Sequence, residues 1–423
     1  MKSYSTMVKK KCINKWSPYL SLIVLLMISF SCADKEIPHR ANHVIVFGLD
    51  GVGARALQLA ETPNMNKMIM NGALSINTRT VLPSNSGPSW VSMFTGTVPE
   101  HHGVRSNSWR TDNYNIEPSI KTEAGYFPSI FEHIKEQKPE LKAFMLYEWG
   151  GMLNLFDESV PDRVIHKTDG VELFHAAYDV FFEEKPEFLF VAIDEPDGFG
   201  HRYGYDHPEY FRCISKYDSL IGIFIDRLIA ESMLENTVIL VTSDHGGLDR
   251  GHGGDSPNEM EIPVLLYGGS VTQGRTIEQV HLITDIAATA AGLLGIVLPG
   301  ECRGSFIFEA FMPGGEFKYV PLPSLRPADH NNLERVTVRS VENSSDRELL
   351  YIMNVSGKIE VSINADFPDT EVFYTLDYSQ PVSAWQNYRN PFFVEESDTI
   401  WAITVINSLQ SKVERIVFAF LGD

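Results

Sequence analysis

Short apolar runs alternate with amphipathic stretches over the first three quarters of the chain. Runs rich in β-branched and aromatic residues predict strands at His43–Leu49, Lys142–Tyr147, Phe188–Ile193, Thr237–Thr242 and Ile262–Tyr267. Apolar residues at helical spacing predict helices near 128–137, 170–183 and 208–231. Strands that alternate with helices form parallel sheets with helices on their faces. Residues 42–318 are therefore predicted to be an α/β domain with a mainly parallel central sheet flanked by helices.

The pattern changes after residue 318. Residues 319–335 are rich in Pro and Asn and predict a linker. Beyond it only strand patterns follow, at Val336–Val341, Lys358–Ile363, Glu371–Leu376, Thr399–Val405 and Arg415–Ala419. Residues 336–423 are therefore predicted to be a small all-β sandwich. Through Tyr-Thr-Leu-Asp at 374–377 and Tyr388, this segment resembles the C-terminal β-sandwich of chitobiases and other secreted carbohydrate enzymes. The resemblance includes no catalytic motif and implies a packing or positioning role, with a contact with glycans as the alternative.

The N-terminus has the layout of an export signal. Residues 1–31 carry five lysines and no acid, and their apolar run from Leu20 to Phe30 is too short to favour a transmembrane helix. The sequence Ser29-Phe30-Ser31-Cys32 resembles the lipobox of bacterial lipoproteins, with ordinary cleavage nearby as the alternative. The resemblance implies a signal peptide over 1–31, a lipid anchor on Cys32, a polar tether over 32–41, and an exported, membrane-anchored lipoprotein.

The net charge of the chain limits the kinds of molecule that it is expected to bind. Removing residues 1–31 with their five lysines changes the formal net charge from −20 to −25. Such an acidic surface argues against binding to nucleic acid polymers, and an anionic small molecule would need cations inside its site. Outside the leader, Cys213 and Cys302 can pair in an oxidising compartment or remain two thiols.

Polar residues cluster where the predicted strands end. The carboxyl ends of strands in open α/β sheets are where binding sites assemble. Three carboxylates, three imidazoles and one hydroxyl fall at or near such ends: Asp50, Asp197, Asp244, His201, His245, His252 and Ser86. Nitrogen and oxygen donors in this mixture suit Zn²⁺, with Mn²⁺ as an alternative. The sequence therefore predicts a site for two zinc ions.

The order and spacing of these residues resemble the alkaline phosphatase superfamily, specifically its type I phosphodiesterase/nucleotide pyrophosphatase branch, over nearly all of residues 42–270. The resemblance implies one metal held by Asp50, Asp244, His245 and the Ser86 oxygen, and a second held by Asp197, His201 and His252. The family's substrate-binding Asn falls on Asn107 in "HGVRSN". The sequence departs from the family in three places: Gly87 replaces a bulkier residue, Ser89-Trp90 replaces Asn-His, and His252 comes only seven positions after His245.

The resemblance implies a hydrolase in which Ser86 attacks phosphorus and forms a phosphoserine intermediate. In the diesterase position, Asn107 favours a phosphodiester, a pyrophosphate or another nucleotide-like small molecule. For the dianionic phosphate of a monoester, Arg105 is the nearest candidate cation. The helix expected to begin near Gly87 would aim its positive end at the nucleophile.

Three other functions remain open. Ser86-Gly87-Pro88-Ser89 with Thr95-Gly96 also resembles a sulfatase signature, but Trp90 stands where that signature has Arg, and three imidazoles suit zinc better than the hard cation of sulfatases. A phosphonate hydrolase would share the metal ligands and differ in its pocket. A glycan-binding surface lipoprotein with a degenerate catalytic domain would lack ligands, yet all seven are present.

Overall fold

The computed structural model describes residues 40–327, 335–340, 347–353 and 358–420. The predicted signal peptide, Cys32 and most of the predicted tether lie outside the described residues. No helix in the described part of the chain is long and apolar enough to cross a membrane.

An eight-stranded sheet forms the centre of the first part of the chain. Its strands are β1 (His43–Leu49), β2 (Ala73–Arg79), β3 (Ala143–Tyr147), β4 (Arg163–His166), β5 (Phe188–Ile193), β6 (Thr237–Thr242), β7 (Glu261–Tyr267) and β8 (Arg275–Thr276), in the order β4-β3-β5-β1-β6-β7-β2-β8. All neighbours pair in parallel except that β7 runs antiparallel to both β6 and β2. The predicted mainly parallel α/β sheet is confirmed.

Helices cover both faces of this sheet. Within the described residues they are α1 (Ala54–Leu59), α2 (Pro63–Met70), α3 (Ser86–Thr95), α4 (Pro99–His102), α5 (Ile130–Gln137), α6 (Gly170–Glu184), α7 (Glu195–Tyr203), α8 (Pro208–Ala230), α9 (Pro257–Met260) and α10 (Asp285–Leu294). Short 3₁₀ turns lie at Gly150–Asn154, Leu234–Asn236, Phe308–Phe311 and Val382–Ala384. The central strands are apolar on both sides. Phe47 of β1 packs against Phe174 of α6 and Phe224 of α8 on one face, and Phe190 of β5 packs against Trp90 and Phe94 of α3 on the other. Every residue of α3 is buried, including Val91 and Phe94.

The C-terminal part contains only strands and one 3₁₀ turn in its described residues. The strands are β9 (Ser324–Pro327), β10 (Arg335–Ser340), β11 (Arg347–Met353), β12 (Ile359–Asn364), β13 (Glu371–Thr375), β14 (Gln386–Asn387), β15 (Phe392–Val394), β16 (Asp398–Ile406), β17 (Leu409–Gln410) and β18 (Glu414–Phe420). They form a seven-stranded sheet, mostly antiparallel, and a three-stranded sheet in the order β15-β12-β9. Leu325, Val361, Ile400 and Phe418 belong to a separate apolar core in this region.

The segment predicted as a linker is packed over its described part. Tyr319 and Leu322 belong to the main apolar core, where Tyr319 contacts Phe367 of the C-terminal region edge to face. Strand β9 within this segment pairs with β12. The Pro-rich segment is therefore extended chain, and its strand β9 forms the edge of the three-stranded sheet. Cys213 and Cys302 are both free thiols.

Candidate metal centre and nucleophile

Three neighbouring strands bring the predicted carboxylates together. Asp50 follows β1 and Asp244 lies two residues beyond β6, which pairs with β1 in parallel. Asp197 lies in the first turn of α7, which begins just after β5 on the other side of β1. Because parallel strands end at the same edge of a sheet, all three acids meet there, and all three are buried.

One donor group consists of Asp50, Asp244 and His245, whose ligand atoms all lie within 4.8 Å of one another. Nε2 of His245 lies 3.4 Å from Oδ1 of Asp50 and 3.4 Å from Oδ2 of Asp244. These two carboxylate oxygens are buried and have no hydrogen-bond partner in the described structure. The other oxygen of Asp244 accepts from the backbone N–H groups of Gly51 and His245. In each carboxylate, one oxygen is therefore hydrogen-bonded to the protein. The other oxygen has no hydrogen bond and lies near Nε2 of His245.

A second donor group consists of Asp197, His245 and His252, again within 4.8 Å. Nε2 of His252 lies 3.8 Å from Oδ1 of Asp197. His201 stands outside both groups, but its Nε2 lies 3.2 Å from Oδ2 of Asp197, and its side chain is 47% exposed. The ring of His245 stacks on that of His252 with centroids 3.8 Å apart, so His245 lies between the two groups.

Each of the three imidazoles is oriented by a backbone carbonyl. Nδ1 contacts a carbonyl oxygen at 2.8 Å in His201, 2.8 Å in His245 and 3.0 Å in His252. A carbonyl can only accept, so Nδ1 carries a proton, and Nε2 is the nitrogen that can bind a metal ion when the ring is neutral. Carbonyl-bound Nδ1 with a free Nε2 is the arrangement of histidines that bind metals through Nε2.

The buried negative charge of the site favours the binding of cations. Burial, and then the charges of neighbouring aspartates, raise the pKa of Asp50 and of Asp244 well above the usual range. Burial and the neighbouring His252 lower the pKa of His245 to about 3, so this imidazole stays neutral. Buried carboxylates this close together are costly unless positive charge compensates them. The free oxygens, the free imidazole nitrogens and the charge together fit divalent metal ions such as zinc.

Ser86 is the first residue of α3 and is almost fully buried beside the first donor group. Its Oγ lies 3.3 Å from Nε2 of His245. The backbone N–H of Gly87 donates to Oδ1 of Asn107 at 2.7 Å, which leaves the amide N–H₂ of Asn107 as a donor. A Cβ at position 87 would lie 3.0 Å from Oδ1 of Asn107 and 3.1 Å from the carbonyl oxygen of Ser106. The glycine therefore permits the close approach of the Asn107 loop to Ser86.

Two aromatic residues that the sequence did not connect with the metal site donate hydrogen bonds to predicted ligands. Nε1 of Trp90 donates to Oδ2 of Asp50 at 3.0 Å, and the phenol of Tyr205 donates to Oδ1 of Asp197. A Cβ at Gly48 of β1 would lie 2.4 Å from the Trp90 ring, so this glycine makes room for the indole. The position of Trp90, one turn after Ser86, was an available signal, whereas nothing in the sequence connects Tyr205 to the site.

An open cavity of about 640 Å³ is lined by residues close in sequence to Ser86, Asn107 and His252. Its lining combines apolar and charged residues: Leu82, Pro83, Pro99, Glu100, Arg105, Ile116, Gly253, Gly254 and Asp255. Gly253 directly follows His252, and its N–H donates to Oγ of Ser84 at 3.1 Å. The segments that line the cavity are therefore those that carry Ser86, Asn107 and His252. Arg105 is one of the residues that line this cavity.

The sequence model of the type I phosphodiesterase/nucleotide pyrophosphatase family matches residues 44–250, a segment that contains Ser86, Asn107 and all the predicted metal ligands except His252. Residues 44–250 are therefore similar to this family of the alkaline phosphatase superfamily. Human bis(5'-adenosyl)-triphosphatase ENPP4 is 26% identical over 251 residues, a match that covers 54% of this chain and 53% of that protein. The chain thus spans about half the length of this curated relative.

Solved structures of the superfamily share the fold of the catalytic part. Murine ectonucleotide pyrophosphatase/phosphodiesterase 5, solved as an inactive variant in complex with AMP, has a TM-score of 0.52 at 16% identity and covers 63% of this chain and 98% of its own. The alkaline phosphatase PafA has a TM-score of 0.53 at 12% identity, with 64% and 99% covered. These matches place the chain in the alkaline phosphatase-like fold.

Proposed function

We propose that this protein is a metal-dependent hydrolase that cleaves phosphodiester or pyrophosphate bonds through Ser86. The observation that carries the proposal is the position of the Ser86 hydroxyl, 3.3 Å from Nε2 of His245, beside two groups of metal-ligand atoms that share this histidine. The family match and the names of the relatives, a bis(5'-adenosyl)-triphosphatase and a phosphodiesterase solved with AMP, support a nucleotide-like small-molecule substrate.

Seven side chains would hold the metals, and two zinc ions are the proposed complement, with manganese as the alternative. Asp50, Asp244, His245 and the Ser86 oxygen form one set, and Asp197, His201 and His252 form the other. When bound, divalent ions in such a site stabilise negative charge on oxygen and lower the pKa of a coordinated hydroxyl.

Ser86 is the proposed nucleophile. Its hydroxyl releases a proton to solvent as Oγ bonds to phosphorus, and the leaving oxygen takes up a proton from solvent as its bond to phosphorus breaks on the opposite side. Water then attacks the phosphoserine, the bond between Oγ and phosphorus breaks, and a proton returns to Ser86. The free N–H₂ of Asn107 is directed at a non-bridging oxygen, since Oδ1 is already bound by the N–H of Gly87.

The cavity that contains Arg105 is the proposed site of the group attached to the transferred phosphoryl. Its volume of about 640 Å³ is in the range of small-molecule pockets. Leu82 is 53% exposed and offers an apolar surface to such a group. A guanidinium in this position favours a leaving group that carries a further phosphate, because arginine binds phosphate through paired hydrogen bonds. We therefore favour pyrophosphates over simple diesters.

The test combines metal content with substrate preference. Plasma mass spectrometry on residues 32–423 is expected to find about two zinc ions per chain. Hydrolysis of bis-p-nitrophenyl phosphate should exceed that of p-nitrophenyl phosphate and p-nitrophenyl sulfate, and Ser86→Ala should abolish it. One calcium ion with cleavage of the sulfate ester would instead indicate a sulfatase, and preferential cleavage of a phosphonate ester would indicate a phosphonate hydrolase.

Glycan binding by the C-terminal region is a second proposed activity. A cavity of about 570 Å³ is lined by Tyr388, Arg389, Asn364, Asn387, Asp366 and Glu371, among other residues. Amide and carboxylate groups beside an aromatic ring suit a hydroxyl-rich ligand, because the ring offers an apolar face and the polar groups bind hydroxyls. Retention on immobilised neutral polysaccharides, reduced by Tyr388→Ala and unchanged by Tyr378→Ala, would support this activity. Equal retention of both variants would contradict it.

Lipid anchoring through Cys32 and export to a membrane face are also proposals. They are supported by the residues around Cys32 in the sequence. Growth with a labelled fatty acid should label the wild-type protein, and Cys32→Ala should remove both the label and the membrane association. A labelled Cys32→Ala protein would contradict this anchor.

A further inference from the structure

Arg55 of α1 links the C-terminal sheet to the region around the second donor group. Its guanidinium forms two hydrogen bonds with the carboxylate of Glu414 in β18, one of them at 2.7 Å from Nη2 to Oε2. On its other side, Nε lies 3.7 Å from Oδ1 of Asp206. Glu414 and Asp206 are largely buried, so this contact is shielded from water. A bidentate pair of this kind holds arginine in a fixed orientation.

Asp206 directly follows Tyr205, whose phenol donates to the metal-ligand candidate Asp197. The Tyr205 ring lies close against two glycines. A Cβ at Gly200 or at Gly247 would lie 2.4 Å from its carbon atoms. Gly200 precedes His201, and Gly247 comes two residues after His245. A shift of Tyr205 would therefore act on both segments and on Asp197.

A second contact of the same interface adds rigidity. Arg326 in β9 donates to the carbonyl of Leu59 at 2.6 Å, and its guanidinium lies 4.8 Å from the ring centroid of Phe211. The cavity between these elements holds only about 20 Å³, about enough for one water molecule. The interface is therefore packed closely, and a change on one side is transmitted to the other.

We propose that Glu414, in the C-terminal β region, is a positioning residue for the metal site, acting through Arg55, Asp206 and Tyr205 on Asp197. The proposal rests on the metal-dependent function proposed above. It assigns the C-terminal region the role of fixing the orientation of the ligands that lie between β5 and α8. Without the Glu414 carboxylate, Asp206 is the remaining acid beside Arg55, and the guanidinium moves toward it. That movement displaces the Tyr205 phenol from Asp197.

The test measures zinc affinity by chelator competition on the full mature chain. Glu414→Gln is expected to weaken one zinc site by roughly tenfold or more, the size typical of residues that orient metal ligands. Tyr205→Phe should weaken the same site, because it removes the hydrogen bond to Asp197 directly. Glu414→Asp should recover part of the affinity. The control is Glu61→Gln, since Glu61 lies 4.0 Å from Arg326 at the same interface and should leave both affinities unchanged.

An Asp197→Asn background identifies the affected site. With Asp197 replaced, Glu414→Gln should no longer change the affinity of the remaining site. If Glu414→Gln lowers the melting temperature while both zinc affinities equal those of the wild type, the positioning role is wrong and the contact is only structural. A wild-type protein that binds no divalent ion would overturn the proposed metal-dependent function itself, and this inference with it.

Discussion

Nε1 of Trp90 donates a hydrogen bond to Oδ2 of Asp50 across 3.0 Å, with both side chains buried. The bond leaves Oδ1 of Asp50 free and directed toward His245. Trp90 stands where a sulfatase signature has arginine, and here that position supplies a neutral donor to a candidate metal ligand. The stretch around Ser86 is therefore built to hold the Asp50 carboxylate in one orientation.

We expect Trp90→Phe to lower zinc affinity at the site containing Asp50 by roughly ten- to a hundredfold, because the carboxylate loses the group that orients it. Isothermal titration of the metal-free protein would measure the change. Trp109→Phe is the matched control, since the buried Nε1 of Trp109 has no hydrogen-bond partner in the described structure. Equal affinities for the two variants would contradict the orienting role of Trp90.

Asn107 is held by the backbone of Gly87, the residue that follows Ser86. Because the N–H of Gly87 binds Oδ1, the amide N–H₂ of Asn107 is oriented before substrate binds. Asn107→Ala should therefore lower kcat on a diester by roughly 10²- to 10³-fold, the effect found for other preorganised donors to a reacting oxygen. Steady-state kinetics with bis-p-nitrophenyl phosphate would measure this. Asn107→Asp should be at least as impaired, since it places a carboxylate where the phosphoryl oxygen binds. A rate near that of the wild type for either variant would remove Asn107 from the site.

The ends of the central strands could be predicted from the sequence because two separate features of the sequence indicate them. The apolar runs are buried on both faces and give a continuous signal, and four of them end in or near an acid, a histidine or a pair of glycines, as β1 ends at Asp50. Since parallel strands end at one edge, their order along the chain already indicates proximity. Strand β2 was missed because its sequence, ALSINTR, mixes polar and apolar residues next to the antiparallel β7.

The contacts that orient the ligands could not be predicted in the same way. Tyr205 reaches Asp197 because α7 ends at Tyr203 and the chain turns back through Gly204, which has a φ of 119°. Arg55 and Glu414 lie 359 residues apart, and no periodicity connects them. Such pairs depend on how whole elements pack together, which single-residue patterns do not encode.

Arg105 gives a test of substrate preference. Arg105→Ala is expected to lower kcat/KM for ATP, which carries further phosphates beyond the bond cleaved, about tenfold more than for bis-p-nitrophenyl phosphate, since a charge-assisted hydrogen bond contributes about 1.5–3 kcal/mol. Lys121→Ala is a suitable control because Lys121, at the surface, is paired with Glu117. If Arg105→Ala affects both substrates equally, the cavity does not bind the additional phosphate, and simple diesters become the preferred substrates.

His102 gives a prediction about pH and stability. It is fully buried between α3 and the Asn107 loop, where its Nε2 lies 2.9 Å from Oγ of Ser92 and its Nδ1 accepts from the N–H of Val104 at 3.0 Å. Burial and the neighbouring His101 lower its pKa from 6.5 to about 3. An accepting Nδ1 cannot also carry a proton, so the hydrogen bonds agree with a neutral ring.

The unfolded chain takes up this proton below pH 6.5, whereas the folded chain does not until about pH 3. The stabilisation is therefore complete above pH 6.5 and is lost progressively as the pH falls toward 3. Between pH 7.5 and pH 5 the loss from this one group is about 2 kcal/mol. Urea denaturation in the presence of a chelator should show that the free energy of unfolding of His102→Gln falls by about 2 kcal/mol less than that of the wild type over this range. Equal falls, or an NMR titration in which the His102 ring protonates near pH 6, would contradict a neutral buried His102.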